Sequence, residues 1–214
     1  MKQTKQRPSV VLFDFDGTLS GGDTNIGFWW YCMRHSLRPW LFLPAALAGV
    51  VVKMIAGVRL PGAGTKFPRI RRIDLIWRHL LRLYLTPGMV ARFASGFVKQ
   101  HLSNRFGWAA EQVAKERAGG NMVILTSASA DFLLVQLVND MKFDYIIGSC
   151  MNPARPWQFM FFNYGVNKVA AIEALLKNCD FNVVRAYSDS STDLPMMSLA
   201  KEQVWINPKT GCRI

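Results

Sequence analysis

Two aspartates stand two residues apart at the end of a short apolar run, in the segment Asp14-Phe15-Asp16-Gly17-Thr18. Along an extended chain alternate residues share a face, so both carboxylates can address one reaction centre while Phe15 points elsewhere. Gly17 lets the chain leave the strand sharply. One carboxylate can attack phosphorus and form an acyl phosphate. A second carboxyl can protonate the leaving oxygen and later deprotonate water. Two carboxylates repel a phosphate, so this chemistry calls for a cation. A few hard oxygen ligands completed by water suit Mg2+. A calcium loop fits poorly: counting Asp14 as position one, position twelve is Asn25 instead of Glu, and a strand-like run precedes it. A plain Asp-Gly turn is the remaining alternative.

Three further polar clusters follow apolar runs. Asp189 and Asp193 come after residues 183–187. Asp189 is placed to complete a metal site, and Asp193 to support a neighbouring lysine. Ser190, Ser191 and Thr192 would serve equally well as a polar turn and helix cap. Thr126 ends the run 122–125, and Ser127 and Ser129 follow it. A hydroxyl and backbone N–H groups at a helix start make an anion site, and such residues are also ordinary caps. Lys168 begins a predicted helix, where a cation opposes the helix dipole. That placement hints at function, although an isolated lysine is usually solvated.

The elements that must position these groups read as strand, helix, strand, helix. Strands are predicted at 9–13, 122–125, 145–147, 183–187 and 204–206, with 159–162 as one arm of a hairpin. Helices are predicted at 108–118, 130–139 and 167–178. This rhythm predicts an α/β fold with a doubly wound parallel sheet. In such sheets ligands sit beyond the carboxyl ends of the strands, where all the polar clusters fall.

Residues 21–107 differ in character. Apolar and aromatic residues recur there at helical spacing, and Pro39, Pro44, Pro61, Pro68 and Pro87 divide them into short helices, with a loop at 57–64. The expected organisation is a catalytic core of 1–20 and 108–214 with an inserted helical cap at 21–107. The cap holds 13 Lys or Arg against Asp23 and Asp74, a formal +11, while 13 basic and 12 acidic residues elsewhere leave +1 of the total +12. Such a field favours anionic partners: phosphorylated substrates, acidic lipids or nucleic acid. Trp, Tyr and Arg flank the apolar run 39–52, an arrangement that suits a segment lying in a membrane interface. At 14 residues that run is short of the roughly 20 needed to span a bilayer. Ordinary packing of a helical cap explains the same pattern. No nucleic-acid recognition motif is present, so nucleic acid is not the expected partner. No secretory signal is read at the N-terminus, and the expected location is the cytoplasm, or the inner face of the cytoplasmic membrane. Cys32, Cys150, Cys179 and Cys212 form no CxxC pair, and are expected to be reduced thiols.

The order and spacing of the four motifs resemble the haloacid-dehalogenase-type phosphatases, in the branch that includes phosphoserine phosphatases. The resemblance covers residues 9–20 and roughly 108–207. It implies Asp14 as nucleophile and Asp16 as general acid/base. It implies Thr126, with Ser127, and Lys168 as phosphate ligands. It implies Mg2+ held by Asp14, the backbone carbonyl of Asp16, and Asp189, with Asp193 orienting Lys168 or a metal-bound water. Dehalogenases of the superfamily lack the second carboxylate. Asp23 matches a position where phosphoserine phosphatases carry an acidic residue that contacts substrate, but no arginine of the cap aligns with the one that holds the serine carboxylate. The basic, apolar cap is similar to that of the phosphatidylglycerophosphate phosphatases of this branch. The resemblance therefore implies a lipid phosphate at a membrane surface, or a small soluble phosphomonoester. Phosphotransfer to an alcohol and non-catalytic binding of an anionic surface are the competing readings. The second is disfavoured because Asp14, Asp16, Thr126, Lys168, Asp189 and Asp193 occur together.

Overall fold

The computed structural model describes residues 7–37, 85–177 and 180–214, with isolated residues between 40 and 51. The first strand, β1 (Ser9–Phe13), is buried on both sides. Val11 and Phe13 enter one apolar cluster, while Val10 and Leu12 enter the other. Alternation along one strand thus builds two cores, one on each face of the sheet, and explains why β1 reads as an unbroken apolar run.

The remaining strands are β2 (Met122–Ala130), β3 (Tyr145–Asn152), β4 (Arg155–Phe161), β5 (Asn182–Ser188) and β6 (Glu202–Trp205). They form one sheet in the order β4-β3-β2-β1-β5-β6. The chain winds outward from β1 in one direction, then returns to build β5 and β6 on the other side. The switch point therefore falls at β1, which pairs in parallel with both β2 and β5. This is the predicted doubly wound fold, its edge completed by the hairpin expected around 159–162. β4 runs antiparallel to β3, because the two are joined as a hairpin at the sheet edge.

Helices α1 (Thr24–Arg34), α2 (Pro87–His101), α3 (Ala109–Ala118) and α4 (Asp131–Leu137) supply residues to the first cluster. Helices α5 (Val166–Leu175) and α6 (Leu194–Met197) supply the second. From the inserted segment, α1 and α2 pack against each other through Phe28 and Phe97, with ring centroids 5.3 Å apart. Phe28 also meets Phe132 of α4 at 5.9 Å, so α1 is seated on the core. Of the predicted apolar run 39–52 only isolated residues are described. The loop 57–64 and the arginines between 69 and 82 lie outside the described residues. Among the described residues no helix is long and apolar enough to cross a membrane. Cys32, Cys150 and Cys212 are unpaired; Cys179 lies outside the described residues.

Candidate active site

Parallel register fixes the placement of the polar clusters. Phe13 pairs with Leu125 on one side and with Tyr187 on the other. The next residues, Asp14, Thr126 and Ser188, therefore stand together just past the end of β1. The Asp14 backbone N–H donates to the Tyr187 carbonyl at 3.0 Å, which carries the pairing one residue past β1. Beneath it, Phe13 and Tyr187 stack with ring centroids 4.4 Å apart and make a rigid floor.

Lys168 is the centre of charge. It is only 2 % exposed, on the first turn of α5, and its ammonium donates to Asp14 Oδ1 at 2.8 Å and to Asp193 Oδ2 at 2.7 Å. It is thus a buried ion-pair partner and not a solvated lysine. Ser188 donates to the same Asp193 oxygen at 2.8 Å. Burial disfavours the ammonium, but Asp14 and Asp193 outweigh it and hold Lys168 charged, above its ordinary range. One cation does not balance the carboxylates around it. Burial, helped by the charges of Asp193 and Asp189, pushes the Asp14 carboxyl up to about 7 despite Lys168. Asp189 is raised as well, by burial first.

Asp16 sits in a different setting. Its Oδ1 accepts the backbone N–H of Thr24 at 3.0 Å and the Thr24 hydroxyl, and its Oδ2 accepts the Ser129 hydroxyl. Burial and the nearby charge of Asp23 push its carboxyl up to about 8, against those hydrogen bonds. Burial thus favours the protonated form of this carboxyl. Asp23 itself caps α1, accepting the Ile26 backbone N–H at 2.8 Å.

Gly17 has φ +77°, a conformation glycine adopts freely. A Cβ there would lie 2.3 Å from Asp189 Oδ2, so the 16–17 backbone is pressed directly against that carboxylate. Thr18 donates its hydroxyl to Asp189 Oδ1 at 3.2 Å. This close approach, and the excess of negative charge at Asp14 and Asp189, fit a divalent cation. Asp14, Asp189 and the Asp16 backbone carbonyl are the residues that would hold it. Among the described residues no three His, Cys, Asp or Glu side chains form a metal cluster. A set of two carboxylates and one backbone oxygen, completed by water and substrate, is the sparse oxygen environment that Mg2+ accepts.

The expectation for Thr126 needs a correction. β2 continues to Ala130, and α4 starts only at Asp131, which places a carboxylate in its first turn. The segment 126–130 is therefore strand-like, with a register shift against β3, and the anion site is not a helix N-terminus. Thr126 is fully buried within β2, level with the end of β1. The Ser127 hydroxyl accepts the Ser129 backbone N–H at 3.2 Å, so it shapes the turn, and Ser129 is the serine that reaches Asp16.

Five residues make contacts in the site that the sequence does not reveal. Thr24 and Ser129 hold Asp16. Asn25 clamps the 128–130 segment, donating to the Ala128 carbonyl at 3.3 Å and accepting the Ala130 N–H at 3.1 Å. Asn163, fully buried behind β2, donates to the Thr126 hydroxyl oxygen at 2.9 Å. His101, at the end of α2, lies 3.4 Å from the Thr24 hydroxyl, and burial holds its imidazole below the usual range.

Comparison with known proteins adds the following. A family model described as haloacid dehalogenase-like hydrolase matches residues 11–198. No curated protein matches the chain in sequence. A solved structure of a protein with unknown function from Bordetella pertussis Tohama I superposes with a TM-score of 0.68 at 16% identity, covering 95% of this chain and 92% of that one. A phosphoserine phosphatase solved as a phospho-aspartyl intermediate analogue gives 0.58 at 14% identity, over 94% of this chain and 87% of that one. A phosphoserine phosphohydrolase-like protein from Francisella tularensis gives 0.53 at 16% identity, over 91% and 94%. At these identities the likeness concerns the fold.

Proposed function

The chain belongs to the haloacid dehalogenase-like hydrolases, and from that premise we propose that it is a Mg2+-dependent phosphomonoester hydrolase working through an aspartyl phosphate on Asp14. The observation that carries this reading is the buried Lys168 ammonium gripping Asp14 Oδ1 and Asp193 Oδ2 at the strand ends, with Asp16 alongside. Lys168 fixes one oxygen of Asp14 and leaves Oδ2 to attack phosphorus. As the P–O ester bond breaks, Asp16 gives its proton to the departing alkoxide. A water then attacks the aspartyl phosphate, Asp16 takes up a proton from it, and Asp14 is regenerated with release of inorganic phosphate. Thr126 and Lys168 bind phosphoryl oxygens, and Asp193 keeps Lys168 in place. Asp14, Asp189 and the Asp16 carbonyl would hold Mg2+, which when bound would supply positive charge to offset the repulsion between a phosphate dianion and the carboxylates. In this reading residues 1–20 and 108–214 are the catalytic core, and 21–107 is a substrate-selecting cap.

The substrate we propose is a lipid phosphate such as phosphatidylglycerophosphate, met at the inner face of the cytoplasmic membrane. Supporting this, the inserted segment carries a formal +11 and exposes Trp30, Leu37, Trp40, Leu41, Leu47 and Val51. Exposed apolar residues beside basic ones suit an anionic interface. A small soluble phosphomonoester is the second reading, favoured by the charge of Asp23 close to Asp16.

Phosphate release from a panel including phosphatidylglycerophosphate and phosphoserine, with and without Mg2+, tests the proposal. Turnover that needs Mg2+ and prefers the lipid is the expected result; a preference for phosphoserine selects the second reading, and no release from any ester rejects both. Membrane association has its own test. Basic residues near anionic lipid contribute about 1 kcal/mol each, so changing Arg69, Arg71 and Arg72 to Gln should weaken vesicle partitioning on the order of 100-fold. Equal binding of the variant to phosphatidylglycerol vesicles would remove the membrane from the proposal.

A further inference from the structure

We infer that Asn163 is a positioning residue that fixes the Thr126 hydroxyl as a hydrogen-bond donor toward the phosphate, an inference that rests on the phosphatase reading above. Asn163 follows the β4 hairpin arm and is fully buried. Its Nδ2 lies 2.9 Å from Thr126 Oγ1, 3.1 Å from the Ser127 carbonyl and 2.8 Å from the Ile147 carbonyl. Carbonyl oxygens only accept, so the –NH2 end must face them. Turning the amide over would set Oδ1 against two carbonyl oxygens. The backbone of β2 and β3 therefore decides the polarity of this side chain.

That polarity passes to Thr126. The amide nitrogen has no acceptor lone pair, and its two protons are shared among three acceptors, so the Thr126 hydroxyl cannot donate to it and its own proton points away from the amide. Phosphoryl oxygens are also acceptors only, and a hydroxyl already oriented as a donor binds them without having to reorganise. Released from Asn163, the hydroxyl could turn its proton to a nearby backbone carbonyl instead.

The anchoring of Asn163 is two-sided. Its backbone N–H donates to Ser149 Oγ at 3.0 Å, and Ser149 donates to the Ala128 carbonyl at 2.7 Å. Side chain and main chain thus brace residues 126–128 from behind. Oδ1 is buried with no hydrogen-bond partner among the described residues. An unpaired buried acceptor is unfavourable, so only the donor end of the amide contributes to this arrangement.

The test uses whichever ester of the panel the wild type hydrolyses with Mg2+, comparing Asn163→Ala, Thr126→Val and the double variant. Asn163→Ala is expected to raise KM, and the inhibition constant of inorganic phosphate, on the order of 10-fold. The double variant should fall well short of the product of the single effects, because both remove the same donated proton. Multiplicative effects, or a lowered melting temperature with KM and phosphate inhibition unchanged, would overturn the inference alone. A wild type that hydrolyses no ester overturns the proposed function and this inference with it. Should Asn163→Ala not fold, the wild type decides by NMR. The Asn163 side-chain amide resonances are expected to shift when inorganic phosphate and Mg2+ are added, and unchanged resonances overturn the inference.

Discussion

Changing Asp14 to Asn is expected to abolish phosphate release while leaving the fold intact. The substitution keeps the shape of the side chain and an oxygen for Lys168, which donates to Oδ1 at 2.8 Å. It removes the nucleophile, since an amide does not form the acyl phosphate. Loss of a nucleophile that works as part of a unit costs on the order of 10^4-fold or more in kcat. Stability should hold, because burial already opposes the Asp14 charge and pushes its carboxyl up to about 7. Two measurements check this: phosphate release, and mass analysis of acid-quenched enzyme for a phosphate adduct on the peptide containing Asp14. Full activity, or an adduct surviving in the variant, would overturn the mechanism.

The second large effect is expected from Lys168→Met, which should damage stability and turnover together. Methionine occupies a similar volume but leaves Asp14 and Asp193 facing each other in a buried site without their shared cation. Removing one partner of a buried ion pair costs about 3–5 kcal/mol, because the remaining charge is uncompensated. Urea or thermal unfolding reads that loss. Loss of a preorganised charge at the phosphoryl group should lower kcat on the order of 10^2 to 10^3-fold in the fraction that stays folded. Lys168→Arg should recover little, since a planar fork does not fit a point between two carboxylates on different loops. Unchanged stability with activity within a few-fold of wild type would show that Lys168 is not the centre of this site.

What the sequence reveals, and what it hides, follows from how each residue reaches the site. Asp14, Lys168, Asp189 and Asp193 are legible because each sits at the end of an apolar run or the start of a helix. Strand ends converge in a doubly wound sheet whatever the details of packing. The extension of β2 to Ala130, and with it the contact of Ser129 with Asp16, was hidden because Thr-Ser-Ala-Ser-Ala carries no apolar alternation. Asn163 was hidden because its position follows from the β3–β4 hairpin, whose antiparallel pairing is irregular. Thr24 and Asn25 read as the start of a helix, which they are; their contacts with Asp16 and the 128–130 segment depend on where α1 docks. Asp23 was expected to touch substrate, and its observed bond is the cap of that helix.

The docking of α1 has a mechanical consequence. Thr24 gives Asp16 two hydrogen bonds, and Asn25 exchanges two more with the 128–130 segment. Lifting the start of α1 off the strand ends would break all four and strip Asp16 of two of its three donors. A hinge at residues 21–23 is therefore disfavoured, even though that is where the insertion leaves the core. Any movement that keeps these bonds leaves the first turn of α1 in place. The root of the insertion is thus tied to the strand ends, and the proton affinity of Asp16 depends on that tie.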